Sequence, residues 1–197
     1  MPSREVELMQ EIMAYDRRVF DRFERALLRR PWSDLTRSRG IGHETLKDTL
    51  VHILNVQEAW CVAIPFARWD RLSAPGRRPA EIGSKAAYRA YRDRVWAGVD
   101  ALREGLTERL LARRVKAPWM PGQYTLRDGL LQATVEEAHH LGEIIGALWQ
   151  DDTATPPMTW IENRVRVGRA RSGAGRVSRR PRGRRRGPRR PRRGSRS

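Results

Sequence analysis

The chain has 197 residues, room for one domain of ordinary size. Its 40 Lys and Arg against 23 Asp and Glu give a formal charge of +17, but 16 of the arginines fall between Arg164 and Ser197, a stretch with no acidic residue, and the remainder carries 24 basic and 23 acidic groups. The high pI therefore belongs to the tail and says nothing about the body, while a single cysteine, Cys61, excludes an intrachain disulfide and fits a reducing cytoplasm.

No apolar run approaches the roughly 20 residues that span a bilayer, so no membrane partner is expected. The opening residues Met-Pro-Ser-Arg-Glu-Val-Glu carry acids, unlike a secretory signal. Ser3 can cap a first helix, and Val6, Met9, Ile12, Met13, Phe20, Phe23 and Leu27 supply its apolar stripe. Arg17, Arg18, Asp21, Arg22, Glu24 and Arg25 fall largely off that stripe and read as a solvated face, and Pro31 ends the helix. Gly40 and Gly42 mark a loop. A second helix is expected from Glu44 to Ile64, stopping at Pro65, with Leu46, Leu50, Ile53, Gln57 and Trp60 as its main row.

Residues 65–83 hold Pro65, Pro75, Gly76, Pro79 and Gly83 and read as a long crossover or lid. Ser84 then caps a third helix whose seam is Tyr88, Tyr91, Val95, Val99, Leu102, Leu106 and Leu110. Lys116 to Tyr124 is another loop, and Thr125 with Asp128 resembles a capping box opening a fourth helix that ends near Gln150. On that helix Ala138, Leu141, Ile145 and Leu148 make an apolar stripe. Four long amphipathic segments with no convincing strand predict an all-α four-helix bundle with a crossover. The bundle is placed at residues 1–163, with Met158, Trp160 and Ile161 packing back on it. Residues 164–197, low-complexity Arg, Gly, Pro and Ser, lack the apolar side chains that could offset ordering entropy and are expected to be a disordered tail.

One constellation carries chemistry. Glu136 and His140 are four apart, so they stack one turn above the other and can share an ion without bending the backbone. His52 lies about 100° round the second helix from Ile53, at the flank of the core. Two imidazoles and a carboxylate from different helices of one bundle make an open metal site, the catalytic rather than the structural arrangement, and the loops at 65–83 and 116–124 are expected to shape its pocket. His139 could replace His140 or hydrogen-bond outside the ligand set. Glu143 could orient an imidazole, with solvent the favoured expectation. His43, at a helix start, reads as structural, and Cys61, nearly opposite His52 on its helix, as a packing residue.

Leu50-Val51-His52 with Glu58-Ala59-Trp60, followed by Glu136-Glu137-Ala138-His139-His140-Leu141-Gly142-Glu143-Ile144, resembles the DinB/YfiT-like superfamily over roughly residues 5–163. The resemblance implies a four-helix bundle with a divalent metal held by one histidine of the second helix and two ligands of the last. Those two are commonly histidines four apart, the second before a residue-Gly pair, which favours His140 over His139. The sequence departs from that pattern at Glu136. A carboxylate there leaves zinc, nickel, manganese and iron all open. Family members with known activity are thiol-dependent S-transferases or isomerases, using low-molecular-weight thiols such as mycothiol or bacillithiol, or metal-dependent hydrolases acting on small molecules. Two other classes stay open. The arginine tail would bind nucleic acid non-specifically through counterion release, unless it is a sticky extension or a reading-frame change. The bundle could also work without metal through oligomerisation, for instance as a homodimer.

Overall fold

The computed structural model describes residues 2–40, 42–68 and 79–160. Four long helices dominate it: α1 (Arg4–Leu27), α3 (Leu46–Glu58), α4 (Lys85–Glu104) and α6 (Leu126–Gln150). Short helices α2 (Trp32–Leu35) and α5 (Glu108–Leu111) sit in the connections. Each long helix begins where a hydroxyl accepts an otherwise unpaired N–H. Ser3 serves Val6, Thr45 serves Asp48, Ser84 serves Ala87, and Thr125 with Asp128 forms a reciprocal capping box. Such caps contribute about 1 kcal/mol each, enough to fix a helix start but small beside the burial of a row of large apolar side chains at roughly 2 kcal/mol apiece.

Cross-links between helices set the topology. Arg127 to Glu5 and Thr134 to Asp16 make α1 and α6 parallel. Gln10 to Arg103 and Arg92 to Glu24 run α4 against α1. Tyr91 to Asn55, with Val62 facing Gly98, makes α3 and α4 parallel. Gln57 to Glu137, with Trp60 facing Gly129, makes α3 and α6 antiparallel. Since α1 and α3 each pack on both α4 and α6, they occupy opposite corners. Between the parallel α3 and α4 lie residues 65–83, where a crossover is expected. Residues 69–78 of it lie outside the described residues, as do Ile161 and the tail at 164–197.

The core matches the expected rows on α1, α3 and α4. Phe20, Phe23, Leu27, Leu46, Leu50, Ile53, Trp60, Tyr88, Tyr91, Val95, Val99 and Leu102 are all buried, with Trp96 edge-on to Phe20 at 5.3 Å between ring centroids. Cys61 is buried as a packing residue, and burial pushes its thiol pKa up. Met158 packs on the core and the Trp160 ring lies tilted against Tyr15 at 4.9 Å between centroids, so the segment after α6 does fold back. No described helix is long and apolar enough to cross a membrane.

Several boundaries and faces differ from the sequence reading. α1 ends at Leu27, and Pro31 instead leads into α2. α3 begins after Thr45 rather than at Glu44, and its last turn widens over Ala59–Ala63 so that Ile64 N–H bonds Ala59 C=O at 2.9 Å. Leu106 lies beyond α4 and Leu110 on α5. Residues 114–125 hold two short antiparallel strands, β1 (Arg114–Val115) and β2 (Tyr124–Thr125). Glu24, expected on the solvated face of α1, is buried and paired with Arg92 at 2.6 Å.

The largest departure is on α6, where Ala138 is exposed and Ile145 only half-buried. Its inward row is Leu130, Ala133, Glu137, Leu141, Ile144 and Leu148. A charged residue therefore replaces Ala138 in the core, because Gln57 Nε2 donates to Glu137 Oε2 at 2.9 Å across the α3–α6 seam. Asp16, also buried, accepts from the Thr134 hydroxyl at 2.7 Å. Burial pushes the Asp16 carboxyl up to about 7 although the Thr134 hydrogen bond pulls the other way. Burial and then the nearby Asp16 charge raise Glu137 as well, partly opposed by Gln57.

A carboxyl whose folded pKa lies above its unfolded value near 3.9 leaves stability undiminished below that value and erodes it as pH rises through the folded pKa. Asp16→Asn keeps an acceptor for Thr134 and removes the charge. Urea denaturation should find the variant more stable than the parent by about 1–3 kcal/mol at pH 8 and little different at pH 4; a parent profile that does not fall between pH 4 and 7 would refute a neutral Asp16.

Candidate metal centre

α3 and α6 run antiparallel, and their packing faces His52 with His140. His52 follows the Thr45 cap by two turns and sits half-buried beside buried Val51 and Ile53. His140 is buried on α6, one turn beyond Glu137. Their ring centroids are 4.5 Å apart and nearly perpendicular. A third imidazole arrives from the connection between α2 and α3. His43 stacks on His52 at 3.9 Å and lies 4.9 Å from His140. One ring nitrogen from each of His43, His52 and His140 falls within 4.8 Å of the others.

The backbone that brings His43 there is unusual. Gly40, Gly42 and Glu44 have φ of 65°, 54° and 73°, a region that costs a non-glycine residue about 1 kcal/mol or more. Arg39 N–H donates to Glu44 C=O and Thr45 N–H to His43 C=O, both at 2.8 Å, closing the turn. Gly42 presses on α6 so closely that a Cβ there would lie 2.5 Å from Glu143 Oε2.

Carboxylates surround the imidazoles. His140 Nε2 is 3.3 Å from Glu136 Oε2, and its Nδ1 is 2.7 Å from Glu143 Oε2. Gln132 Nε2 donates to Glu136 Oε1 at 2.8 Å. Burial works to raise the Glu143 pKa, but the His140 hydrogen bond and the neighbouring imidazoles outweigh it, and the carboxyl stays below its ordinary value. Burial, then the neighbouring His43 and His140, pushes His52 down to about 4, and burial with His140 lowers His43. Both are therefore neutral near pH 7, with the lone pair that ligation requires.

This donor set fits a divalent cation. Neutral imidazoles suit zinc, nickel, iron and manganese, and adjacent carboxylates balance the charge. Glu143 on Nδ1 of His140 is the carboxylate–histidine pairing that commonly orients a metal-bound imidazole, and it leaves Nε2 on the side of Glu136.

Of the residues singled out in the sequence, His52 and His140 come together, and Glu136 contacts His140. His139 is exposed and reaches only Glu143, at 3.4 Å. Glu143, expected to face solvent, instead orients His140. His43, expected to be structural, joins the cluster; Gly40 and Gly42 signalled a turn before it, but nothing in the pattern said which helix that turn would touch. The loops at 65–83 and 116–124 were expected to shape the site. Where described, the second lies further along the bundle, Trp119 meeting Trp60 at 6.1 Å, and the connection carrying His43 borders the histidines.

A family model described as DinB superfamily matches residues 15–144, more than half of the chain and the span that includes every residue of this cluster. No curated protein matches the chain.

Gly42→Ala should destabilise the protein by about 1–2 kcal/mol in urea titration, through its positive φ and the contact with Glu143. An unchanged midpoint would mean that the turn does not press on α6.

Proposed function

The chain belongs to the DinB superfamily, and from that premise we propose that it is a divalent-metal-dependent enzyme in which His52, Glu136 and His140 hold the ion. The observation that carries this reading is the convergence of imidazoles from α3, α6 and the turn before α3 within 4.8 Å of one another, with the Glu136 carboxylate beside that of His140. A divalent ion held by three protein ligands supplies Lewis acidity that makes a thiol or water nucleophilic near neutral pH. The protein's own part is positional: Glu143 fixes the orientation of His140, and Gln132 holds one oxygen of Glu136 so that the other faces the histidine.

The reaction we assign is transfer of a low-molecular-weight thiol to a small electrophile, with hydrolysis of a small substrate as the competing chemistry. Zinc, nickel, manganese and iron are all compatible with two imidazoles and a carboxylate. We assign the bundle to residues 1–163, with 164–197 appended to it, and place the protein in the cytoplasm on the strength of its lone, buried cysteine.

Elemental analysis of the purified protein should find about one divalent ion per chain, a three-ligand site with an open position, and His52→Ala should lose it. Supplied with a thiol and an alkylating electrophile, the metal-loaded protein should consume free thiol and the chelator-treated protein should not. Absence of bound metal from the parent protein overturns the assignment; metal with hydrolysis but no thiol consumption selects the competing reaction.

A further inference from the structure

Arg30, Arg37 and Arg39 converge on Asp34 and Asp151, at the end of α6 away from its cap. Asp34 belongs to α2, and Asp151 is the residue directly after α6. Arg39 is the centre of the group, with its side chain only 3% exposed. One terminal nitrogen lies 2.9 Å from Asp34 Oδ1 and 3.0 Å from Asp151 Oδ2, and the other donates to the Asp34 carbonyl at 2.7 Å. Arg30 and Arg37 each reach Asp151 at 2.9 Å. A buried planar guanidinium that bridges two carboxylates in this way fixes geometry more than an exposed ion pair can.

What Arg39 fixes is the turn that bears His43. Its own N–H closes the turn on Glu44 C=O. Beyond it, Gly42 abuts Glu143, and the narrow seam between turn and helix is lined by Arg39, Glu44, Thr45 and Glu143. The turn is thus anchored at both ends to α6, once at Asp151 and once at the residue that orients His140. Glu44, a non-glycine residue at positive φ, would relax to an ordinary conformation in an unanchored turn.

We propose that His43 is a loop-borne ligand completing the metal centre, and that the Arg39–Asp34–Asp151 cluster is the latch that positions it. Arg39 is a positioning residue, touching neither metal nor substrate. The inference rests on the metal-binding assignment above and adds to it a fourth protein donor, with a position left for substrate on an ion that takes five or six ligands, and a remote control of affinity.

The test is a double-mutant cycle read as affinity for zinc(II), measured on the full chain by competition with a chromogenic chelator. Arg39→Ala should weaken binding roughly 10- to 100-fold, the range of losses seen when an outer partner of a ligand is removed, His43→Ala should weaken it by at least as much, and the double variant should be no weaker than His43→Ala alone. Should Arg39→Ala not fold, Asp151→Asn takes its place in the same cycle. An Arg39 effect that persists undiminished without His43, or no effect of Arg39 at all, overturns the latch. If His52→Ala loses zinc while His43→Ala binds as tightly as the parent, the metal assignment stands and this inference falls. A parent protein that takes up no zinc removes both.

Discussion

The register of α3 against α6 is the constraint on which the rest depends. Two contacts of opposite character set it. At Gly129 the absent side chain lets Trp60 lie where a Cβ would be 2.3 Å from its ring, and at Glu137 a buried carboxylate meets Gln57 at 2.9 Å. A slip of one residue would drive a side chain into the indole and leave a buried acid unpaired, each a multi-kilocalorie penalty of roughly the size seen for overpacking or for an orphaned polar group. With that register held, His52 and His140 face one another at the flank of the same seam, without any contribution from flexible segments. The chemistry is placed on rigid elements, and only one of its imidazoles is borne by a turn.

That rigidity is obtained with polar groups that a purely apolar core would not carry. Asp16 and Glu137 are buried, burial raises the pKa of both, the Asp16 charge raises Glu137 further, and each accepts from a neutral hydrogen-bond partner. Their placement costs stability at neutral pH. What they supply is direction: Asp16 ties α1 to α6, Glu137 ties α3 to α6, and the two ties meet on the helix that carries His140. Around the histidines the same device recurs nearer the surface, where Glu143 and Glu136 take the two nitrogens of one ring. The imidazole is thereby oriented by its own helix before any ion arrives.

Four long helices, the caps of three of them, most of the buried rows of α1, α3 and α4 and the pairing of Glu136 with His140 could be read along the chain. These follow from local rules: a hydroxyl before a helix and apolar residues every three or four positions. His52 could be named because it sits beside a strong apolar row. The inward face of α6 could not, since its apolar pattern is ambiguous between Ala138 and Ile145 on one side and Ala133 and Ile144 on the other, and the choice is made by Gln57 on another helix. Glu24 misled for a similar reason, its partner Arg92 lying on α4.

The elements, their approximate lengths and the donors on each are legible along the chain, because those depend on interactions within a few residues. Tertiary structure alone decided which donors meet. His43 reads as the start of a helix until the Arg39 cluster folds its turn onto α6, and Glu143 reads as solvated until that turn covers it. His139 and His140 are equivalent by spacing to Glu143 and Glu136, yet the bundle buries one and leaves the other in water. Convergence of this kind is a property of helix packing in three dimensions, where a rotation of one residue, about 100°, moves a side chain from the seam to the surface.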